Sequence, residues 1–210
     1  MYDFSDKKQT KNQIKPGDKT SVKQFNVSNV NISTQPKGYK FFVSMNKIAI
    51  LYGSSGGNTE MVAKSVRELF DNEADLYNVE SIRMDDIKPY KYLILGTSTT
   101  GIGDLQDDWD SFLPSFAKAD LADKTVAIFA LGDSASYSSS FAESMKVIYD
   151  AIEGKTNIVG SVADEGYIYD ESMAVVDGRW VGLPIDEDNE YDQTDARLEA
   201  WVAELKKVFV

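Results

Sequence analysis

Residues 47–67, KIAILYGSSGGNTEMVAKSVR, constrain the fold of this chain more than any other stretch. An apolar run, Ile48, Ala49, Ile50, Leu51 and Tyr52, meets small and hydroxyl residues from Gly53 to Thr59. Met61, Val62, Ser65, Val66 and Leu69 follow at the spacing of one helical face. Strand, hydroxyl-rich loop and helix start together form an anion site. The helix N-terminus offers unpaired N–H groups and the positive end of its dipole, and small side chains let the backbone approach. The loop contains no Lys or Arg. It therefore suits a phosphate monoester held by N–H and hydroxyl donors, rather than a triphosphate held by a Walker lysine and Mg²⁺. A plain Gly/Ser turn is the simpler alternative.

The chain has 210 residues, of which 42% are hydrophobic, enough for one full core. It has no Cys and no His. Disulfides, thiol nucleophiles and cysteine-bound metal are thereby excluded. The commonest general base and metal ligand is missing too, which argues against a hydrolase or metalloenzyme. Any chemistry would have to come from a bound cofactor or from carboxylates, hydroxyls, Lys and Tyr.

The net charge of −12 is unevenly distributed. Residues 1–44 carry eight Lys and three Asp, net +5, so the remainder holds −17. A domain this acidic repels nucleic acid and anionic membranes and favours basic protein partners. No apolar run has the length of a membrane span. Residues 1–44 are rich in Lys, Asn, Gln and Ser with scattered apolar residues, which predicts a disordered basic extension. They lack a secretory signal pattern and contain no Arg, unlike an organellar transit peptide. Met45 stands just before the first strand, and the expectation is a working start there, with residues 45–210 as the domain.

From Lys47 onward, short apolar runs alternate with helical patterns, the signature of βα units on a parallel sheet. Strands are predicted at 48–52, 75–78, 92–95, 125–130 and around 158–159. Helices are predicted to begin near Asn58, Leu105, Ser140 and Thr194. The last presents Ala196, Leu198, Trp201, Val202, Leu205 and Val208 to a core. Between Val159 and Leu183 the pattern breaks and then resumes as Leu183-Pro184-Ile185.

Three loops at strand ends carry a family resemblance. Ser54-Ser55-Gly56-Gly57-Asn58-Thr59 resembles the phosphate loop of flavodoxins, T/S-x-T-G-x-T. Gly56 stands where the family has a hydroxyl, a loss of one hydrogen bond worth about 0.5–1.5 kcal/mol. The segment from Gly96 to Trp109 is similar to the family's G-x-P-T-W-x-x-G-E-L-Q-x-D-W, with Trp109 read as a core residue. Leu131-Gly132-Asp133, Tyr137, Ser140 and Phe141 resemble its G-D-x-x-x-Y-x-x-x-F. The interrupted last strand resembles that of long-chain flavodoxins, whose fifth strand is divided by an insertion. Asp186-Glu187-Asp188-Asn189 matches G-L-x-x-D-x-D-N and is read mainly as a polar approach to the last helix.

The resemblance covers residues 47–210 and implies a three-layer α/β sandwich. Its five-stranded parallel sheet has order 2-1-3-4-5, with ligand at the carboxyl ends of the strands. It implies noncovalent FMN in a low-potential one-electron carrier that is not an enzyme. Ser54, Ser55, Gly56, Gly57, Asn58 and Thr59 would bind the phosphate. Ser98, Thr99, Thr100, Gly101, Ile102 and Gly103 would lie beside the inner flavin face, with Thr100 replacing the usual Trp at the cost of a stacking interaction. The Gly101-Ile102 peptide would flip on one-electron reduction and favour a neutral semiquinone, since Gly enters positive φ freely. Leu131, Gly132, Asp133, Tyr137, Ser140 and Phe141 would complete the site, with Tyr137 stacked on the outer face. Asp133 would disfavour the anionic, fully reduced flavin.

The partners implied are an NADP-linked flavodoxin reductase and oxidoreductases such as a pyruvate-oxidising enzyme, met by a cytoplasmic monomer. An FMN-dependent quinone reductase of the same fold remains an alternative, because function resides in the site. A receiver domain of this topology is disfavoured, since the first strand ends Tyr52-Gly53-Ser54 without a carboxylate.

Overall fold

The structure is a computed structural model that describes residues 47–209. The expectations for residues 1–44 and for Met45 lie outside these. In chain order the elements are β1 (Ile48–Tyr52), α1 (Asn58–Leu69), β2 (Ala74–Asn78), α2 (Met84–Ile87) and β3 (Tyr92–Thr100). They continue with β4 (Asp104–Leu105), α3 (Asp107–Phe116), β5 (Thr125–Leu131), α4 (Ser144–Ile152) and β6 (Asn157–Val159). The last are β7 (Val162–Ala163), β8 (Val175–Val176), β9 (Arg179–Trp180), β10 (Leu183–Ile185) and α5 (Tyr191–Val208).

The main sheet runs β2-β1-β3-β5, with parallel pairing throughout. The fifth position is filled by two segments. β6 lies along Thr125–Ala127 and β10 along Phe129–Leu131, both parallel to β5. This is the divided fifth strand and the 2-1-3-4-5 order expected from the sequence. The central strands are buried on both faces, as the continuous apolar runs require. Ala49 and Leu51 of β1 join one hydrophobic core, with Trp109, Phe112 and Phe116 of α3 and Met145, Ile148 and Ile152 of α4. Ile50 and Tyr52 join the other, with Val62 and Val66 of α1 and Leu198, Trp201 and Leu205 of α5. Two helical layers thus cover one sheet.

Several boundaries differ from the sequence expectation, each for a local reason. β3 continues to Thr100 rather than ending at Leu95, because Thr99 and Thr100 pair antiparallel with Leu105 and Asp104. α3 begins at Asp107, not near Leu105, because the Gln106 side chain accepts the N–H groups of Asp108 and Trp109 at 3.1 and 3.2 Å. α4 begins at Ser144 rather than near Ser140, since Ala142 just before it is left-handed, φ +54°. α5 starts earlier than Thr194, at Tyr191.

The insertion between β6 and β10 folds as a small antiparallel sheet, β7-β9-β8. Its Trp180 is fully buried, with the rings of Tyr169, Tyr167 and Phe141 at 5.0, 5.6 and 5.7 Å. Phe141, expected in the cofactor site, is therefore a core residue that fastens the β5–α4 loop to the insertion. Phe141→Ala is expected to cost about 3–5 kcal/mol of stability through the cavity it leaves. Urea unfolding of the apoprotein measures this directly.

Candidate functional site

The three loops meet at the carboxyl ends of β1, β3 and β5 around a cleft of about 250 Å³. Asn58, Ser98, Thr99, Gly101, Leu131, Gly132, Asp133, Tyr137 and Ser140 line it, all of them expected from the sequence. Glu187 and Asp188 line it as well. Sequence reasoning had assigned these two to a polar helix approach, although the D-x-D-N pattern that contains them was visible.

The loop after β1 is organised by one hydroxyl. Ser54 Oγ accepts the N–H of Gly57 at 3.0 Å and that of Glu60 at 3.4 Å. Gly57 takes φ +94°, with open space where a Cβ would stand. Among the described residues the amides of Asn58 and Thr59 have no acceptor; the first helical bond is from Met61 to the Gly57 carbonyl. Ser54 retains its own proton for donation. Ser55 Oγ accepts from Gln106 Nε2 at 3.2 Å, which ties this loop to α3. Thr59 is buried in the first turn of α1. Ser54, Ser55, Gly56, Gly57 and Thr59 thus build the turn that delivers Asn58 to the cleft. The free amides and the dipole of α1 make this end of the cleft suited to an anion.

At the end of β3, Thr99 Oγ1 accepts the N–H of Ser144 at 3.2 Å and donates to Ser144 Oγ at 3.0 Å. Thr100 Oγ1 donates to the carbonyls of Leu105 and Asp104 at 3.3 and 3.4 Å, so it closes the hairpin instead of facing the cleft. Gly101 and Gly103 have φ +52° and +85°. Between them Ile102 is 81% exposed and is not among the lining residues, contrary to expectation.

The loop after β5 is held by two carboxylates. Asp133 Oδ1 accepts from Ser136 N at 2.8 Å, Asn189 Nδ2 at 2.9 Å and Ala135 N at 3.1 Å. These donors, Ser136 foremost, hold its carboxyl below the usual range. Asp186 is fully buried and accepts from Asn189 N at 2.9 Å, Ser134 N at 3.0 Å and Asp188 N at 3.1 Å. Burial alone would push its carboxyl up, but the bonds from Ser134 and Asn189 outweigh that and hold it down. Asp188 is pushed up, by desolvation and then by the charges of Asp133 and Asp186. Tyr137 remains half exposed on the cleft wall. Ser140 Oγ is buried and has no hydrogen-bond partner within the protein, so the cleft wall keeps one unused polar group.

A parallel α/β sheet whose strand-end loops enclose an anion-accepting cleft beside an aromatic wall defines the protein's class. Residues 50–201 match the family model described as Flavodoxin. Flavodoxin 1 of Azotobacter vinelandii is 42% identical over 172 residues, covering 79% of this chain and 99% of the relative. The flavodoxin of Helicobacter pylori is 39% identical over 166 residues, covering 79% and 99%. Among solved structures, Fusobacterium nucleatum flavodoxin bound to flavin mononucleotide superposes with a TM-score of 0.74 at 27% identity, covering 78% of this chain and 98% of that one. The chain belongs to the flavodoxin family.

Because Asp133 and Asp186 titrate below their usual range when folded, their ionisation stabilises the native state. That contribution is complete above the ordinary carboxyl value of 3.8 and is lost as pH falls through the depressed folded values. Asp186→Asn is expected to lower stability at pH 7 by about 1–3 kcal/mol. It should also flatten the loss of stability below about pH 4, as read from urea midpoints across the acid range.

Proposed function

We propose that the cleft binds FMN and that residues 45–210 form the unit that carries it. As a flavodoxin the chain is an electron carrier rather than an enzyme, exchanging electrons with redox proteins. When bound, FMN supplies the redox chemistry, taking and releasing electrons one at a time. The observation that carries this reading is the convergence of three strand-end loops on one cleft. It has unclaimed amides at the α1 end, and Tyr137 and the unpartnered Ser140 hydroxyl on its wall.

The donor set fits the cofactor. The free amides of Asn58 and Thr59 and the Ser54 hydroxyl suit a phosphate without needing a cation. Tyr137 offers a ring for stacking, and Ser140 Oγ offers a hydrogen bond to a polar edge. Gly101, already at positive φ, can turn its peptide without a Cβ penalty. With Thr100 committed to its hairpin, the inner side of the site has no aromatic cover from that position. Asp133, Glu187 and Asp188 surround the cleft with negative charge, which opposes the build-up of further negative charge inside it. The same acidity suits transient docking to partners with basic surfaces, such as an NADP-linked reductase or a pyruvate-oxidising enzyme. Among the described residues no helix is long and apolar enough to cross a membrane. We assign the protein to the cytoplasm, as a monomer.

Titration of the apoprotein with FMN should quench flavin fluorescence. Anaerobic reduction of the complex should then proceed in two separable one-electron steps in the visible spectrum. Failure to retain FMN would overturn the reading, and a single two-electron step would favour the quinone reductase alternative. Ser140→Ala is expected to weaken FMN binding by about 0.5–1.5 kcal/mol, roughly 2- to 12-fold in Kd.

A further inference from the structure

Residues 141–144 join the insertion to the cleft, and one of them has a charge that the link itself does not require. Ala142 is fully buried and left-handed, φ +54°, a conformation disfavoured for any residue with a Cβ. After it, Glu143 is only 6% exposed. Its Oε1 accepts the N–H of Met173, on the insertion, at 2.7 Å. Its Oε2 lies against Gly103, 2.6 Å from where a Cβ on that glycine would stand. Gly103 belongs to the same turn that presents Gly101 to the cleft.

Among the described residues, no Lys or Arg forms an ion pair with Glu143. Among the described residues, no donor other than Met173 N–H reaches its carboxylate. A glutamine would still accept the Met173 bond and would avoid the desolvation of a charge. Asp133 differs in this respect, because three N–H donors spread its charge. Glu143 instead places a carboxylate with no cation partner, at the start of α4, directly behind the Gly101–Gly103 turn.

We propose that Glu143 is a positioning residue that holds this turn against the insertion and whose charge sets the redox balance of the cofactor. It does so by disfavouring the electron-rich form on the other side of the turn. The proposal rests on the FMN reading above.

The test uses the full chain reconstituted with FMN, as parent, Glu143→Gln and Glu143→Asp. For each, the Kd of oxidised FMN is measured by fluorescence and the reduction potentials by equilibration with reference dyes. Together these give the ratio of reduced to oxidised FMN affinity. Glu143→Gln keeps size and acceptor and is expected to raise that ratio about 3- to 30-fold. Its affinity for oxidised FMN should stay within about 3-fold of the parent, since the Met173 bond is retained. Glu143→Asp keeps the charge and should leave the ratio within about 2-fold of the parent. A ratio unchanged in Glu143→Gln would overturn the proposal. So would an equal shift in Glu143→Asp, which would assign the effect to packing. A parent that does not retain FMN refutes the cofactor reading itself, before any variant is compared.

Discussion

The carbonyl oxygen of Gly96 fixes the geometry of the site. It accepts the N–H of Gly53 at 3.1 Å and the indole N–H of Trp109 at 2.7 Å. One acceptor thus joins the exit of β1, the middle of β3 and the first turn of α3. Trp109 cannot shift to release it, because the indole is fully buried and packed edge-on against Phe112 and Phe116. A Cβ on Gly53 would stand 2.2 Å from Gln106 Oε1, and one on Gly96 would stand 2.2 Å from the Phe129 ring. Both glycines are therefore required by close approach. The loop that offers its amides to an anion inherits its position from the core beneath it, the arrangement expected of a preorganised site.

The alternation of apolar runs and helical patterns was enough to place the strands and helices of a parallel sheet, because strands buried on both faces leave a clear signal. The strand order and the layering came from the family resemblance. The loops were legible for a different reason. Small, hydroxyl and glycine residues clustered at strand ends have little use in a core, and Ser98, Thr99, Gly101, Gly132 and Ser140 among them line the cleft. The errors have two causes, contact with a segment distant in sequence for Phe141 and a local hairpin for Thr100. Phe141 looked like a ligand residue beside Tyr137, but its ring partners Tyr167, Tyr169 and Trp180 arrive from the insertion. Thr100 looked available until β4 folded back to take its hydroxyl. Nothing in the local pattern around Glu143 distinguishes it from a solvated helix-start carboxylate.

Carboxylates near the cleft are compensated mainly by backbone amides and an asparagine rather than by cations. Asp186 stands between the β5 loop and the segment leading to α5, and its donors come from both sides. This lets a strongly acidic surface coexist with a rigid site, since amide donors are fixed by the fold and add no positive charge. Arg197 is the contrasting case. It pairs with Glu190 at 2.7 Å, donates to the Gly166 carbonyl at 3.0 Å and lies 4.2 Å from the Tyr167 ring centroid, clamping the insertion to α5.

The divided fifth strand also bears on how the molecule behaves among copies of itself. A long, flat border strand offers a continuous row of N–H and C=O groups to which another chain can add. Here that border consists of two three-residue pieces, β6 and β10, with the insertion leaving between them. Pro184 stands in the middle of β10 and has no N–H to offer. Gly182 presses so closely on β5 that a Cβ there would stand 2.3 Å from the Ile128 carbonyl oxygen. The interruption that makes room for the insertion thus also denies a neighbouring chain an unbroken template for intermolecular β-pairing along this side of the sheet.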